Sequence, residues 1–161
     1  MKNIQLLFLA VVVLFSATSC LKTVSPISAF AKNEVVYMNN DLDGSITLRV
    51  QGEGRDEEEA IDQAARMALY EVIFKGVEVP NNPRLSKPLV EDPQAEAQHE
   101  KFFNKFFKKG GKYTQFVSAK EYGTHHNYKK SRTTRMHVTS TVRVERSKLK
   151  NFLIRKEIIN E

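Results

Sequence analysis

One acidic stretch has the spacing of a calcium-binding loop. Asn39, Asp41 and Asp43 precede Gly44, as in the first half of an EF-hand loop, where oxygens at alternate positions bind Ca²⁺. Such a loop also needs a bidentate glutamate at its twelfth position, and Val50 stands there. We therefore interpret the stretch as a turn that leads into a strand, and we predict no metal site.

Three histidines offer a second possibility for chemistry. His125 and His126 are adjacent in a polar segment, and His137 follows in a strand-like pattern. Imidazole is a metal ligand and an acid or base near neutral pH. Two adjacent histidines cannot easily face one metal, however, and Lys129 and Lys130 would repel a cation. We predict a solvated pair in a loop and a histidine on the open face of a sheet.

Motifs for nucleophilic catalysis and nucleotide binding are incomplete. The Ser and Thr residues at 139–141 occur without a G-x-S-x-G or S-x-x-K motif. The pair Gly52 and Gly54 lacks a third glycine, and the four acidic residues at 56–59 would repel a phosphate. No nucleophile, base and orienting group stand together, so we predict a protein that is not an enzyme and has no cofactor.

The only cysteine follows a secretory signal. Lys2 precedes an apolar run at residues 6–15, and small residues lead to Cys20. The run is shorter than the roughly 20 apolar residues of a transmembrane helix, which favours a cleavable signal at residues 1–19. A lone cysteine in an exported chain is a free thiol, an intermolecular bridge or a modified residue. At a cleavage site, modification is the best interpretation.

The segment FSATSC resembles a bacterial lipoprotein box, in which the cysteine is diacylated and becomes the first residue of the mature protein. Ala17 stands where the box usually has leucine. The resemblance implies a lipid on Cys20. By the same resemblance, the lack of aspartate at position 21 favours the outer membrane, with the domain facing the periplasm.

Composition is that of one globular domain without disulfides. The chain of 161 residues carries a formal net charge of +6, with 25 basic and 19 acidic residues. If Cys20 carries lipid, stability depends on a hydrophobic core, which a mature chain of about 140 residues can bury. A basic chain can bind nucleic acid, but the predicted export argues against that partner, and we predict none.

Periodicity predicts the order β-α-α-β-β-α. We expect a tether at residues 20–43, although residues 34–37 could form a short edge strand, and one domain at residues 44–161. The predicted elements are a strand at 45–50, a helix at 56–76, an irregular segment at 77–93, a helix at 94–109, a hairpin from strands at 113–122 and 133–145, and a helix from Ser147. This order predicts an α+β two-layer sandwich, with a three- to four-stranded antiparallel sheet and helices on one face.

A strand that ends in Gly-x-Gly before an alanine-rich helix also resembles a known domain. The matching residues are 50–54, followed by Glu59, Ala60, Ala64, Ala65 and Arg66. They resemble a domain of Gram-negative envelope lipoproteins and of the N-terminal part of a flagellar assembly protein. The resemblance implies a scaffolding or accessory role in an envelope machine. It brings no catalytic residues.

Two surfaces are candidates for protein binding. The outward positions of the sheet include Arg49, Arg135, His137 and Arg143, which form either a solvated face or a basic docking face. The second predicted helix carries four phenylalanines, more than one sheet contact needs. Either all four lie in the core, or some, such as Phe103 and Phe107, line a partner surface or a ligand crevice.

These observations suggest two functions. The first is an outer-membrane lipoprotein that acts as a non-enzymatic structural or accessory subunit of an envelope-spanning assembly, such as a secretion or surface-appendage machine. Its partners would be the membrane, through its lipid, and envelope proteins. The alternative is a periplasmic lipoprotein that binds a small apolar ligand between the Phe-rich helix and the sheet.

Overall fold

The computed structural model describes residues 35–120 and 136–160. The predicted signal, Cys20, Arg135 and the basic hairpin tip lie outside these residues. The strands are β1 (Val35–Asn40), β2 (Ile46–Gly54), β3 (Val117–Lys120) and β4 (Met136–Val144). The helices are α1 (Glu57–Tyr70), α2 (Pro83–Ser86), α3 (Ala95–Gln98), α4 (Glu100–Phe106) and α5 (Arg146–Arg155), with a π-helical segment (Glu71–Lys75) and a 3₁₀ turn (Lys112–Gln115).

The four strands form one antiparallel sheet in the order β1-β2-β4-β3, and the predicted α+β class is confirmed. β2 and β4 pair along nine residues, with Ile46 opposite Val144 and Leu48 opposite Val142. These inward side chains are buried. Successive strand residues point to opposite faces, so the residues between them form the outer face of the sheet.

α1 begins at an acidic cap and packs over β2 and β4. The Asp56 side chain accepts a hydrogen bond from the Glu59 backbone nitrogen at 2.8 Å, which satisfies one of the free N–H groups of the first turn. Ala60, Ala64 and Ala68 are fully buried along the side that faces the sheet. Small side chains on both elements therefore let the helix lie close to the strands.

The end of α1 widens into the π-helical segment, and the next part of the chain packs against it. The carbonyls of Val72 and Ile73 accept hydrogen bonds from the backbone nitrogens of Leu89 (3.0 Å) and Val90 (2.8 Å). Gly76 ends the segment with φ of +83°, a conformation that suits glycine. The proline-rich segment predicted at 77–93 is thus attached to the helix through these two hydrogen bonds.

Three elements differ from the sequence prediction. Residues 35–40, which we assigned to the tether with an edge strand at 34–37 as the alternative, form the edge strand β1, so the sheet includes residues before Gly44. The helix predicted at 94–109 is divided at His99 into α3, which buries Ala95, and α4, which buries Phe103 and Phe106. Residues 113–115, assigned to the strand at 113–122, belong instead to the 3₁₀ turn, which buries Tyr113.

Tertiary contacts account for these differences. β1 gains its backbone hydrogen bonds from β2, and the Tyr113 hydroxyl donates to Asp62 of α1, 51 positions earlier. Neither interaction can be predicted from the local pattern of apolar and polar residues. Within the described residues, no helix is both long and apolar enough to cross a membrane.

Candidate functional site

The outer face of the sheet is the first candidate surface. Arg49, Gln51 and Thr139 are exposed on it, and Arg49 lies opposite Thr141 while Gln51 lies opposite Thr139. His137 is half-buried opposite Glu53 at the far end of the same strand pair. Arg49 and His137 therefore lie on the face that the sequence assigned to them. We call this surface the open face.

Arg143 lies on the same face but is held by two carboxylates. Its Nη1 lies 2.9 Å from Asp41 Oδ2, and its Nη2 lies 2.5 Å from Asp43 Oδ2. The Ser45 hydroxyl donates to Asp43 Oδ1 at 2.6 Å, and the Ser45 backbone nitrogen donates to the same oxygen at 2.9 Å. These bonds from Ser45, followed by the charge of Arg143, lower the pKa of Asp43.

This arrangement changes the interpretation of Arg143 as a docking cation. The two carboxylates that give the loop its calcium-like spacing are bound to Arg143 and Ser45. The charge of Arg143 is balanced within the domain, so this arginine is not a free cation for an acidic partner. The described open face is consequently threonine-rich and polar, with Arg49 as its exposed arginine, and is less basic than the sequence suggests.

An apolar edge adjoins the open face. The large hydrophobic side chains that are exposed within the described residues are Val36 (42%), Met38 (43%) and Leu42 (110%). All three belong to β1 or to the turn after it. Val36 lies opposite Arg49 and therefore on the open face, whereas Met38 lies at the irregularity between Tyr37 and Asn39. Clustered apolar exposure is typical of interaction surfaces.

The predicted partner role of Phe103 and Phe107 is wrong, because both side chains are in the core. Phe103 is 0% exposed and packs edge-on against Phe74 at a ring-centroid distance of 4.7 Å. Phe107 is 3% exposed and packs edge-on against Phe106 at 5.0 Å. Neither offers an exposed surface to a partner. The helix buries so many aromatic rings because it packs between the π-helical segment and α5.

A cleft between α4, the 3₁₀ turn and α5 is lined by two of the four phenylalanines that suggested a ligand crevice, and it does not lie between the helix and the sheet. Its floor includes Phe102, Phe106 and Phe152, whose rings lie within 6.0–6.2 Å of one another, and its volume is about 480 Å³. Lys105, Lys108, Lys112 and Lys156 line its rim. We call it the lysine-rimmed cleft. The spacing of Lys105, Lys108 and Lys112 in the sequence could have indicated a basic rim. The contribution of α5 could not have been inferred, because it depends on a contact between distant parts of the chain.

A polar network joins α1 to the 3₁₀ turn. Asp62 accepts a hydrogen bond from the hydroxyl of Tyr113 and pairs with Arg66, which also lies 5.9 Å from the centre of the Tyr113 ring. Burial, followed by the hydrogen bond to Asp62, raises the pKa of Tyr113 to about 12. A general acid or base works best with a pKa near the operating pH. The network therefore fits a structural role.

Comparison with known protein families, curated proteins and solved structures gives no significant match for the chain.

Proposed function

We propose that this protein is an outer-membrane-anchored lipoprotein that faces the periplasm. In this proposal it acts as a non-enzymatic structural or accessory subunit of an envelope-spanning assembly, such as a secretion or surface-appendage machine. A lipid on Cys20 holds the chain at the membrane, and residues between Cys20 and Val35 separate the lipid from the domain. The domain binds an envelope protein through the open face and the β1 edge.

The clustering of exposed apolar side chains carries this proposal. Soluble proteins commonly expose single hydrophobic residues, whereas a contiguous group marks an interaction site. Val36, Met38 and Leu42 are the large hydrophobic side chains exposed within the described residues, and all three lie within seven positions on one edge strand and its turn. β1 contains no charged residue or proline, the usual protection of an edge against pairing with another chain. A protein partner can therefore contact both the edge and the adjoining threonine-rich face.

The alternative site for an apolar ligand receives less support. The side chains of Phe103, Phe106 and Phe107 fill the inner side of α4 with aromatic contacts. Within the described residues, the phenylalanine rings of α4 contact Phe74, Phe116 and Phe152 of α5. A ligand between this helix and the sheet would have to displace core side chains.

Co-purification from the native host tests the proposal. The tagged full-length protein is extracted in mild detergent, and its partners are compared with those of Arg49→Glu and the matched reversal Arg155→Glu. Arg155 is exposed on α5, in the helical layer. We expect Arg49→Glu to lose the partner and Arg155→Glu to keep it, because a carboxylate at the contact would be buried without an opposite charge beside it. Equal retention by both variants would exclude this part of the open face.

Membrane attachment is tested separately. Cys20→Ser should abolish incorporation of labelled fatty acid and release the protein from the membrane fraction. A Cys20→Ser protein that remains in the membrane as an unprocessed precursor would show that residues 6–15 act as an anchor.

A further inference from the structure

The lysine-rimmed cleft combines an aromatic floor with a cationic rim. Phe106 and Phe152 are stacked, with planes inclined by 27°, and the partly buried Phe102 lies nearly parallel to Phe106 at 16°. The Nζ atom of Lys112 lies 5.9 Å from the centre of the Phe152 ring. The cleft thus places an ammonium group beside an aromatic surface.

The charge of the rim is not balanced locally. In residues 35–120 and 136–160, no ion pair joins a carboxylate to Lys105, Lys108, Lys112 or Lys156. No acidic residue lines the cleft. Two other surface clefts differ, because Glu57, Glu58 and Asp62 line one and Glu91 and Asp92 line the other. Four lysines around one cleft repel each other, and a bound anion would relieve this repulsion.

We propose that the lysine-rimmed cleft binds an amphipathic anion, a molecule with an apolar ring or chain and a phosphate or carboxylate head. The apolar part would rest on Phe102 and Phe152, and the lysines would hold the head. A volume of about 480 Å³ lies in the range of small-molecule sites. The source of this chemistry is either a phospholipid or a soluble aromatic phosphate.

The proposal is independent of the function proposed for the open face. The two surfaces belong to different layers, since the cleft lies between α4, the 3₁₀ turn and α5. Loss of one activity therefore leaves the other measurable.

Nuclear magnetic resonance of the full chain in phosphatidylcholine nanodiscs provides the test. The soluble probe is 1-naphthyl phosphate, with 1-naphthol and inorganic phosphate as its apolar and anionic halves. The lipid probe is dihexanoyl phosphatidic acid, which is anionic, and its control is dihexanoyl phosphatidylcholine, which is zwitterionic. The amides of Gly110 and Gly111, which line the cleft, report binding. Titration of these signals gives a dissociation constant for each probe. We expect the dissociation constants of the intact anionic amphiphiles to be at least about tenfold lower than those of either half, because the binding energies of the two contacts add.

Charge reversal then locates the site. Lys105→Glu with Lys112→Glu should weaken binding at least about tenfold, because two cations at the rim become two anions that repel the head group. The matched control is Lys87→Glu with Lys150→Glu, which makes the same charge change at a neighbouring cleft. If the glutamate variant is misfolded, Lys105→Gln with Lys112→Gln replaces it.

Each result decides the question. Binding of phosphatidic acid alone identifies a lipid as ligand, and binding of naphthyl phosphate alone identifies a soluble anion. Equal losses in both double variants would reveal unspecific attraction and overturn the proposal. Equal affinity for a half-ligand, or unshifted Gly110 and Gly111 signals with every probe, would overturn it as well.

Discussion

Replacement of Gly52 by alanine tests the close contact between α1 and the sheet. A Cβ atom on Gly52 would lie 1.9 Å from the carbonyl oxygen of Ala60 and 2.9 Å from the backbone nitrogen of Ala64. Ordinary contact begins at 3.4 Å, so α1 would have to retreat by about 1.5 Å. Helix backbone cannot rotate aside as a side chain does.

The expected cost is large for a single methyl group. Overpacking typically costs about 1–3 kcal/mol, and the backbone contact places Gly52→Ala at about 3 kcal/mol. The reduced entropy of the unfolded chain offsets only about 0.4–1 kcal/mol. In a domain of this size, the melting temperature should fall by about 10 °C.

Thermal unfolding followed by circular dichroism measures this change, with Thr139→Ala on the exposed face as the control. The control should change stability by no more than about 0.5 kcal/mol. Ala60→Gly should not rescue Gly52→Ala, because the atom in the way is a carbonyl oxygen. If Gly52→Ala has the same melting temperature as the wild type, the packing of α1 against the sheet described above is refuted.

Three further predictions concern α1 and the β1–β2 turn. The hydrogen bond from the Arg55 side chain lowers the pKa of Glu59 from 4.5 to about 2. The stabilisation of the fold by this ion pair is therefore present above pH 4.5 and is lost as the pH falls toward 2. A carboxyl titration by NMR should show this pKa, and the pKa should move back toward 4.5 in Arg55→Ala. Calcium should give no binding heat in calorimetry, because Asp41 is bound to Arg143, and micromolar affinity would contradict this. Ala64→Leu should destabilise the domain by about 1–3 kcal/mol in denaturant unfolding, and an unchanged midpoint would place Ala64 outside the core.

Local patterns predicted the elements whose own residues determine them. The alternation of Ile46, Leu48 and Val50 placed β2 and its buried face, and the structure buries all three. Asp56 predicted the start of α1 because an N-cap acts within one turn. These signals extend over a few residues, so the sequence contains them.

Features that depend on distant contacts were missed or misinterpreted. The carboxylates that pair with Arg143 lie in a turn about 100 residues earlier. The strand pattern alone predicted an unpaired, outward arginine, because it contains no information about that turn. The wide aromatic face of α4 suggested a partner surface, yet Phe152 of α5 covers part of it. Lys156, the residue that follows the same distant helix, joins the lysine-rimmed cleft.

The most direct test of the central claim is photo-crosslinking of the full-length protein in its host. A photoreactive residue replaces either Thr139, exposed on the open face, or Asn151, exposed on α5. If the open face binds an envelope protein, Thr139 should give one discrete adduct that also forms from Gln51, and Asn151 should give none. An adduct from Asn151 together with none from Thr139 would contradict the proposal and place the partner on the helical layer.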